Sequence, residues 1–220
     1  MICCGMLVLS LITWFACMGI KSGMKDSGTL GIKSVADAMS FLGGATIHNP
    51  QDDQTWNGEN GFTIEKYLAA PEIFIVSPKD KLRQYDYLME QTVQVTQVLK
   101  GSQTTVGKNI NLLNYGFADD YRGLRYYSTT NILIPGRSYM IFVTPQTNYN
   151  QYSSVPVYSY SVYGPGAFDI DEEHVSLIET TETDTLYQTV KDMDYFVAIP
   201  EMLDAVKQIR EDLLEHFQVN

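Results

Sequence analysis

Cysteine is scarce in this chain of 220 residues and lies only near its start. All three cysteines, Cys3, Cys4 and Cys17, precede residue 18. A disulfide framework, a cysteine-based zinc site and a cysteine nucleophile are therefore excluded from the rest of the chain.

Histidine is equally scarce, which restricts the enzyme classes open to the chain. His48, His174 and His216 are the candidate general bases of the usual kind, and a hydrolytic triad needs such a base beside its nucleophile. The sequence also lacks a G-x-S-x-G elbow, an H-E-x-x-H motif and a Walker A loop. We therefore expect a protein that is not an enzyme, with an unrecognised hydrolase as an alternative.

A basic excess is missing as well. Residues 1–168 carry 12 basic and 12 acidic side chains, while residues 169–220 carry three basic against 14 acidic ones, which accounts for the net charge of -11. A duplex nucleic acid requires a basic face that neutralises its phosphates. The charge distribution excludes a nucleic-acid partner and predicts a solvated acidic tail over residues 171–220.

One long apolar run is present, and it covers residues 2–20 without a charged side chain. Such a run is long enough to cross a bilayer as a helix and is longer than a signal-peptide core. We predict a transmembrane anchor over residues 1–20, with a signal segment or lipidation at Cys17 as the alternatives. Three lysines follow the run and nominally favour a cytoplasmic domain, but long domains translocate largely regardless of charge. We expect a single-pass or lipid-anchored membrane protein whose soluble domain is extracytoplasmic.

The composition changes after the apolar run. Residues 21–61 are rich in Gly, Asn, Asp, Gln and Ser and predict a flexible linker, with one short amphipathic helix at 33–42 before two glycines. A second short helix is expected at 63–70, because Pro71 cannot continue it.

The following half of the chain has the composition and period of β-strands. Six segments combine β-branched and aromatic residues with period-two alternation or flanking turns: 72–77, 91–99, 108–115, 137–144, 155–163 and 167–170. No long helical pattern alternates with them, so a small antiparallel barrel or sandwich is favoured over parallel winding.

The last element has a helical period instead. Apolar residues recur there at spacings of three and four, which predicts an amphipathic helix that begins at Pro200 and packs on the barrel. These residues are Met202, Leu203, Val206, Ile209, Leu213 and Phe217.

The order of the motifs resembles a known family. The segments TIEKYLAAPEIFIV (63–76), TVQVTQVLKG (92–101), VGKNINL (106–112), IPGRSYMIFV (134–143) and YGPGAFDI (163–170) are similar to those of secreted or membrane-anchored proteins of Gram-positive bacteria. The resemblance covers residues 63–170 and implies a small OB-like, netrin-like (TIMP-like) β-barrel. It implies no catalytic residues, and TIMP-like relatives inhibit proteases through an N-terminal cysteine and disulfides that this chain lacks.

Pattern and resemblance together predict a mainly-β fold: a small antiparallel OB-like barrel over residues 62–170 with a C-terminal amphipathic helix. The anchor of residues 1–20 and the linker of residues 21–61 precede the barrel, and the acidic tail of residues 171–220 carries the helix.

An aromatic and basic segment is the candidate ligand surface. Ten of the 15 tyrosines lie between Tyr115 and Tyr163, and most of them are expected to pack along strands. Any ligand surface is predicted in residues 115–127, here called the Tyr/Arg segment and interpreted as a long loop between strands. Its candidate binding residues are Tyr115, Phe117, Tyr121, Arg122, Arg125, Tyr126 and Tyr127.

We expect no cofactor and no metal, and the one candidate metal site in the sequence is a dense acidic run. Asp169, Asp171 and Glu173 alternate before His174, and alternating carboxylates chelate Ca²⁺ in some loops. The run lacks the glycine and glutamate that an EF-hand loop requires at its sixth and twelfth positions. A solvated acidic loop is therefore preferred to a calcium site.

These observations favour a non-catalytic, membrane-anchored extracytoplasmic module that binds an envelope component, with an unidentified protein, peptide or glycan as its partner. A netrin/TIMP-like inhibitor or immunity-type factor that acts on an extracellular enzyme is the alternative. The sequence leaves the ligand and the oligomeric state open.

Overall fold

The structure is a computed structural model, which describes residues 32–47, 63–85, 88–115, 117–120, 123–126, 130–150, 154–162, 164–177, 186–197 and 200–219. The predicted anchor at residues 2–20 lies outside these ranges. Among the described residues, no helix combines the length and the apolar character needed to cross a membrane.

The described elements are mostly short strands. The strands are β1 (Thr46–Ile47), β2 (Glu72–Tyr85), β3 (Leu88–Lys100), β4 (Asn109–Tyr115), β5 (Phe117–Asp120), β6 (Gly123–Tyr126), β7 (Tyr139–Pro145), β8 (Val157–Tyr160), β9 (Ala167–Asp169), β10 (Val175–Leu177) and β11 (Tyr195–Val197). The helices are α1 (Val35–Leu42), α2 (Ile64–Leu68), α3 (Thr147–Asn150), a 3-10 turn (Tyr187–Thr189) and α4 (Pro200–Phe217).

Five strands close into a small barrel. Their order is β2-β3-β4-β8-β7, and β7 pairs back onto β2 to complete the ring. Strand β9 pairs with the first residues of β7, and β8 pairs with its last residues. The fold is therefore mainly β, and the closed barrel is compatible with an OB-like architecture.

The prediction of an antiparallel barrel is wrong in one respect, because the sheet is mixed. Strands β4 and β8 run parallel, with Leu112 opposite Tyr158, whereas the other neighbouring pairs of the ring are antiparallel. The reason is topological: a closed ring with an odd number of strands cannot alternate direction all the way round, so one pair must be parallel.

Alternate residues of the barrel strands fill its interior. Val93 and Val95 of β3 face inward with Ile110 and Leu112 of β4, and all four are at most 1% exposed. This alternation is what the period-two pattern of the sequence predicts.

Strand β2 is longer than its pattern predicts. The segment Pro78-Lys79-Asp80 has turn-like composition, yet the strand continues to Tyr85 through an irregularity in register between Pro78 and Leu82. A bulge accommodates proline in a strand, because the ladder is interrupted there.

The C-terminal helix confirms the three-and-four spacing. Met202, Val206, Ile209 and Leu213 are the buried residues of α4. Three of these, Val206, Ile209 and Leu213, join the cluster that Phe142 of β7 and Tyr67 of α2 also enter. The helix thus covers the outer side of the barrel.

Part of the expected linker is packed. Helix α1 begins with a capping box in which Ser34 and Asp37 bond each other's backbone, as its sequence favours. Ala38 and Leu42 of α1 are fully buried against Leu82 of β2 and residues near the 3-10 turn. Residues 32–47 therefore contribute to the hydrophobic core.

Candidate functional site

The Tyr/Arg segment contains a β-hairpin. Strands β5 and β6 pair antiparallel, with Phe117 opposite Tyr126, and β6 pairs parallel with β1, with Arg125 opposite Thr46. The sequence predicts a loop here, but the pairing of β5 with β6 and the long-range pairing of β6 with β1 give the segment regular structure.

The structure places the candidate ligand residues only in part. Tyr115 is the last residue of β4, Phe117 lies in β5, and Arg125 and Tyr126 lie in β6. The remaining three candidates lie outside the described residues: Tyr121, Arg122 and Tyr127.

The outer face of β3 and β4 is polar. In OB-fold barrels the second and third strands form the face that binds ligands, and here those strands are β3 and β4. The Thr92 hydroxyl donates to Asn111 Oδ1 at 3.0 Å, and Asn111 Nδ2 donates to Glu90 Oε1 at 3.0 Å. Thr92 and Asn111 are only 7% and 8% exposed, so this part of the face satisfies its own hydrogen bonds and is largely closed.

A second polar group lies where the C-terminal segment meets the barrel. It contains Asp169 at the end of β9, His174 before β10, Asp194 before β11, and Arg137 and Tyr139 at the start of β7. We call these five residues the carboxylate cluster. They come from four separate stretches of chain and meet because β7 pairs with β9 and β10 pairs with β11.

Asp194 is the most fully bonded member. Its Oδ1 accepts from Arg137 Nη1 at 3.0 Å and from the Tyr139 hydroxyl at 3.1 Å, and its Oδ2 accepts from the backbone N–H of His174 at 3.2 Å. Burial, followed by the nearby charge of Asp169, raises the pKa of Asp194 above its ordinary value. Burial and the charge of Asp194 likewise raise the pKa of Tyr139, so this hydroxyl remains a donor at neutral pH.

Asp169 is held by its own loop. Its Oδ1 accepts from the backbone N–H groups of Asp171 at 2.9 Å and Glu172 at 3.3 Å. Its Oδ2 lies 3.9 Å from Arg137 Nε and 3.9 Å from His174 Nδ1. Asp169 and Asp194 therefore bring two buried carboxylates together with one guanidinium.

The acidic run that was the weaker, calcium-binding alternative does not bring its three carboxylates together as a metal-ligand group in the described residues. Asp171 and Glu173 are exposed, and Glu173 Oε1 accepts from the Tyr195 hydroxyl at 2.8 Å while its other oxygen lies 3.8 Å from Lys207 Nζ. Within the described residues, the potential metal ligands that come together are Asp169, His174 and Asp194. Asp194 was missed because it is 25 residues from Asp169, and its local sequence looks like any acidic turn.

Asn131 was also missed, and it orders the loop that carries Asp194. Its backbone N–H donates to Asp194 O at 2.9 Å, and its Nδ2 donates to Val190 O and Met193 O, each at 2.9 Å. Asn131 is completely buried. A polar residue in a buried connection satisfies backbone groups that would otherwise lack partners. A single asparagine in a sequence does not indicate that it has this role.

Comparison with protein-family models finds no match to this chain, and comparison with curated proteins finds none either.

Proposed function

We propose that this protein is a non-catalytic binding module, anchored in the cell membrane through residues 2–20, whose barrel lies outside the cytoplasm. Its ligand is a glycan or peptide of the cell envelope, or a protein exposed there. The Tyr/Arg segment is the binding surface.

One observation carries the proposal: the barrel closes without the Tyr/Arg segment. The pairing of β2 with β7 completes the ring, and the hairpin of β5 and β6 is inserted between the third and fourth barrel strands. It leaves the barrel directly after Tyr115 and forms a separate three-stranded sheet with β1. Inserted segments on a rigid scaffold are where binding residues concentrate, and tyrosine and arginine supply ring faces and planar hydrogen-bond donors for sugars or peptides.

The contacts of His174 favour binding over catalysis. A triad requires a nucleophile on the histidine ring. Among the described residues, the charged groups that approach the ring are the carboxylates of Asp169, Glu172 and Asp194. A histidine enclosed by carboxylates is typical of an ion-pair or ligand-holding arrangement.

Replacement of Tyr121, Arg122 and Arg125 together by Ala tests the binding surface. We expect the triple variant to unfold at nearly the same temperature as the wild type. The wild type should bind a glycan on an array of peptidoglycan fragments, and the triple variant should not bind that glycan. The matched control replaces Gln97 and Lys108, which are exposed on β3 and before β4, and should bind normally. Unfolding of the triple variant would assign these side chains to the core and remove the proposal for this segment.

Membrane fractionation tests the anchor. We expect the full chain to remain with membranes after carbonate extraction, because residues 2–20 provide about one bilayer of apolar helix, whereas a chain that begins near Lys25 should be soluble. Recovery of the full-length gene product as a shortened, soluble species contradicts an uncleaved anchor.

We also propose membership of the netrin-like family of Gram-positive envelope proteins, supported by the closed barrel and the helix α4 that covers it. An inhibitor of an extracellular enzyme is the second candidate function, and it rests on this fold alone. Inhibition of a protease by the purified chain, unaffected by the triple change, would favour it over the first.

A further inference from the structure

We propose that Asp169, His174 and Asp194 form a binding site for a single zinc ion. The proposal is independent of the binding function above, because the site lies in the carboxylate cluster and shares no residue with the Tyr/Arg segment.

The ring of His174 has carboxylates beside both of its nitrogen atoms. Nε2 lies 3.3 Å from Glu172 Oε2, and Nδ1 lies 3.5 Å from Asp194 Oδ2 and 3.9 Å from Asp169 Oδ2. Nδ1 is buried and makes no hydrogen bond. In a neutral ring whose Nε2–H faces Glu172, Nδ1 presents a lone pair to two carboxylate oxygens. Three electron-rich atoms that converge in this way repel one another, and a cation between them would relieve the repulsion.

The separation of these atoms suits a tetrahedral ion. Zinc bonds of about 2.0–2.2 Å to nitrogen and oxygen hold neighbouring ligand atoms about 3.4 Å apart. The 3.5 Å between Nδ1 and Asp194 Oδ2 matches this value, and all three ligand atoms lie within 4.8 Å of one another. Nδ1 and Asp169 Oδ2 are 3.9 Å apart, so the Asp169 oxygen must approach Nδ1 by about 0.5 Å to complete three protein ligands, and water takes the fourth position.

The surrounding groups orient each ligand atom toward this point. Glu172 Oε2 lies 3.3 Å from Nε2, the ring nitrogen opposite Nδ1, and a carboxylate on that side of the ring is typical of metal-binding histidines. Backbone N–H groups hold Asp169 Oδ1, and Arg137 with Tyr139 holds Asp194 Oδ1. In both carboxylates, therefore, the oxygen that faces Nδ1 is the one with fewer bonds. Arg137 Nε is 3.9 Å from Asp169 Oδ2, beyond hydrogen-bond distance.

The ligand set selects the type of metal. Calcium and magnesium take oxygen ligands, and calcium needs six or more of them. One imidazole with two carboxylates suits zinc. The carboxylates of Asp169, Asp194 and Glu172, with the guanidinium of Arg137, leave two negative charges around the ring, and a divalent cation neutralises them.

The test measures zinc binding to the full chain in detergent by calorimetry and metal analysis. Cys3, Cys4 and Cys17 are replaced by Ser in every sample, so that thiolates do not bind the metal. We expect one zinc per chain, and a Kd for His174→Gln at least about tenfold higher. Glu172→Gln, which changes an exposed side chain and leaves the three ligands in place, should raise Kd by about 10–100-fold.

The matched control is His216→Gln, which removes an exposed histidine of α4 and should leave Kd unchanged. Circular dichroism verifies that each variant is folded. If His174→Gln does not fold, the zinc affinity of Glu172→Gln tests the proposal instead. The proposal is overturned by any of three results: no zinc bound, zinc affinity equal in wild type and both cluster variants, or calcium competing with zinc at equal concentration.

Discussion

Replacement of Asn131 by Ala tests how the C-terminal segment is attached to the barrel. The Asn131 side chain donates to Val190 O and Met193 O, and its Oδ1 accepts from the Ile132 N–H at 2.8 Å and from the Tyr187 hydroxyl. Alanine leaves all four groups without this partner. Val190 O keeps the Met193 N–H as a donor, so the groups that lose a bond without this replacement are the Ile132 N–H, the Tyr187 hydroxyl and Met193 O. The loss of each such bond costs about 1–3 kcal/mol. We therefore expect a loss of at least about 3 kcal/mol in the free energy of unfolding.

Urea unfolding followed by circular dichroism measures this loss. In a chain of this size, about 3 kcal/mol corresponds to a fall of at least about 6 °C in Tm. The control is Asn109→Ala, which removes an exposed asparagine at the start of β4 and should change stability by less than about 0.5 kcal/mol. If Asn131→Ala costs less than about 1 kcal/mol, water replaces the amide easily and the segment is not held as described.

Two further changes test individual contacts. Gly101 has a φ of +105°, and a Cβ there would overlap the Glu72 carboxylate, so Gly101→Ala should lower the free energy of unfolding by about 2–4 kcal/mol. The control is Gly107→Ala, which should cost about 1–2 kcal/mol because Gly107 has a φ of +85° but no neighbouring atom in the way. Equal losses for the two variants in urea unfolding would refute the overlap. Burial raises the pKa of Glu90 above its ordinary 4.5, although two nearby cations oppose the shift. The stability that Glu90 contributes is then complete below 4.5 and is lost as the pH rises through the raised pKa. Unfolding of Glu90→Gln at a series of pH values should therefore show a stability gain over wild type that grows across this window, and a constant difference would contradict the expected shift.

The candidate site shows the limit of local reasoning most clearly. The acidic run favours a solvated loop, and its weaker calcium alternative groups Asp169 with Asp171 and Glu173 because these residues are near in sequence. A run of alternating residues in an irregular loop sends side chains in different directions, and here one of them bonds Tyr195. The group that converges on Asp169 includes Asp194, which no local pattern distinguishes.

Elements whose environment repeats along the chain are predictable from residue pattern alone. Val93 and Val95 alternate because one face of β3 is buried along its length, and Val206, Ile209 and Leu213 recur because one side of α4 packs on the barrel. The spacing of the apolar residues indicates which face of a strand or helix is buried, whatever element packs against that face.

The way in which these buried faces combine depends on contacts between distant parts of the chain. Closure of five strands into a ring required the parallel pair of β4 and β8, and the pairing of β6 with β1 turned an expected loop into a hairpin. Arg137 meets Asp194 across 57 residues because β7 and β11 are brought together by their neighbours in the fold. Contacts of this kind depend on strand register and ring closure, which are properties of the whole chain, so no window of sequence contains them.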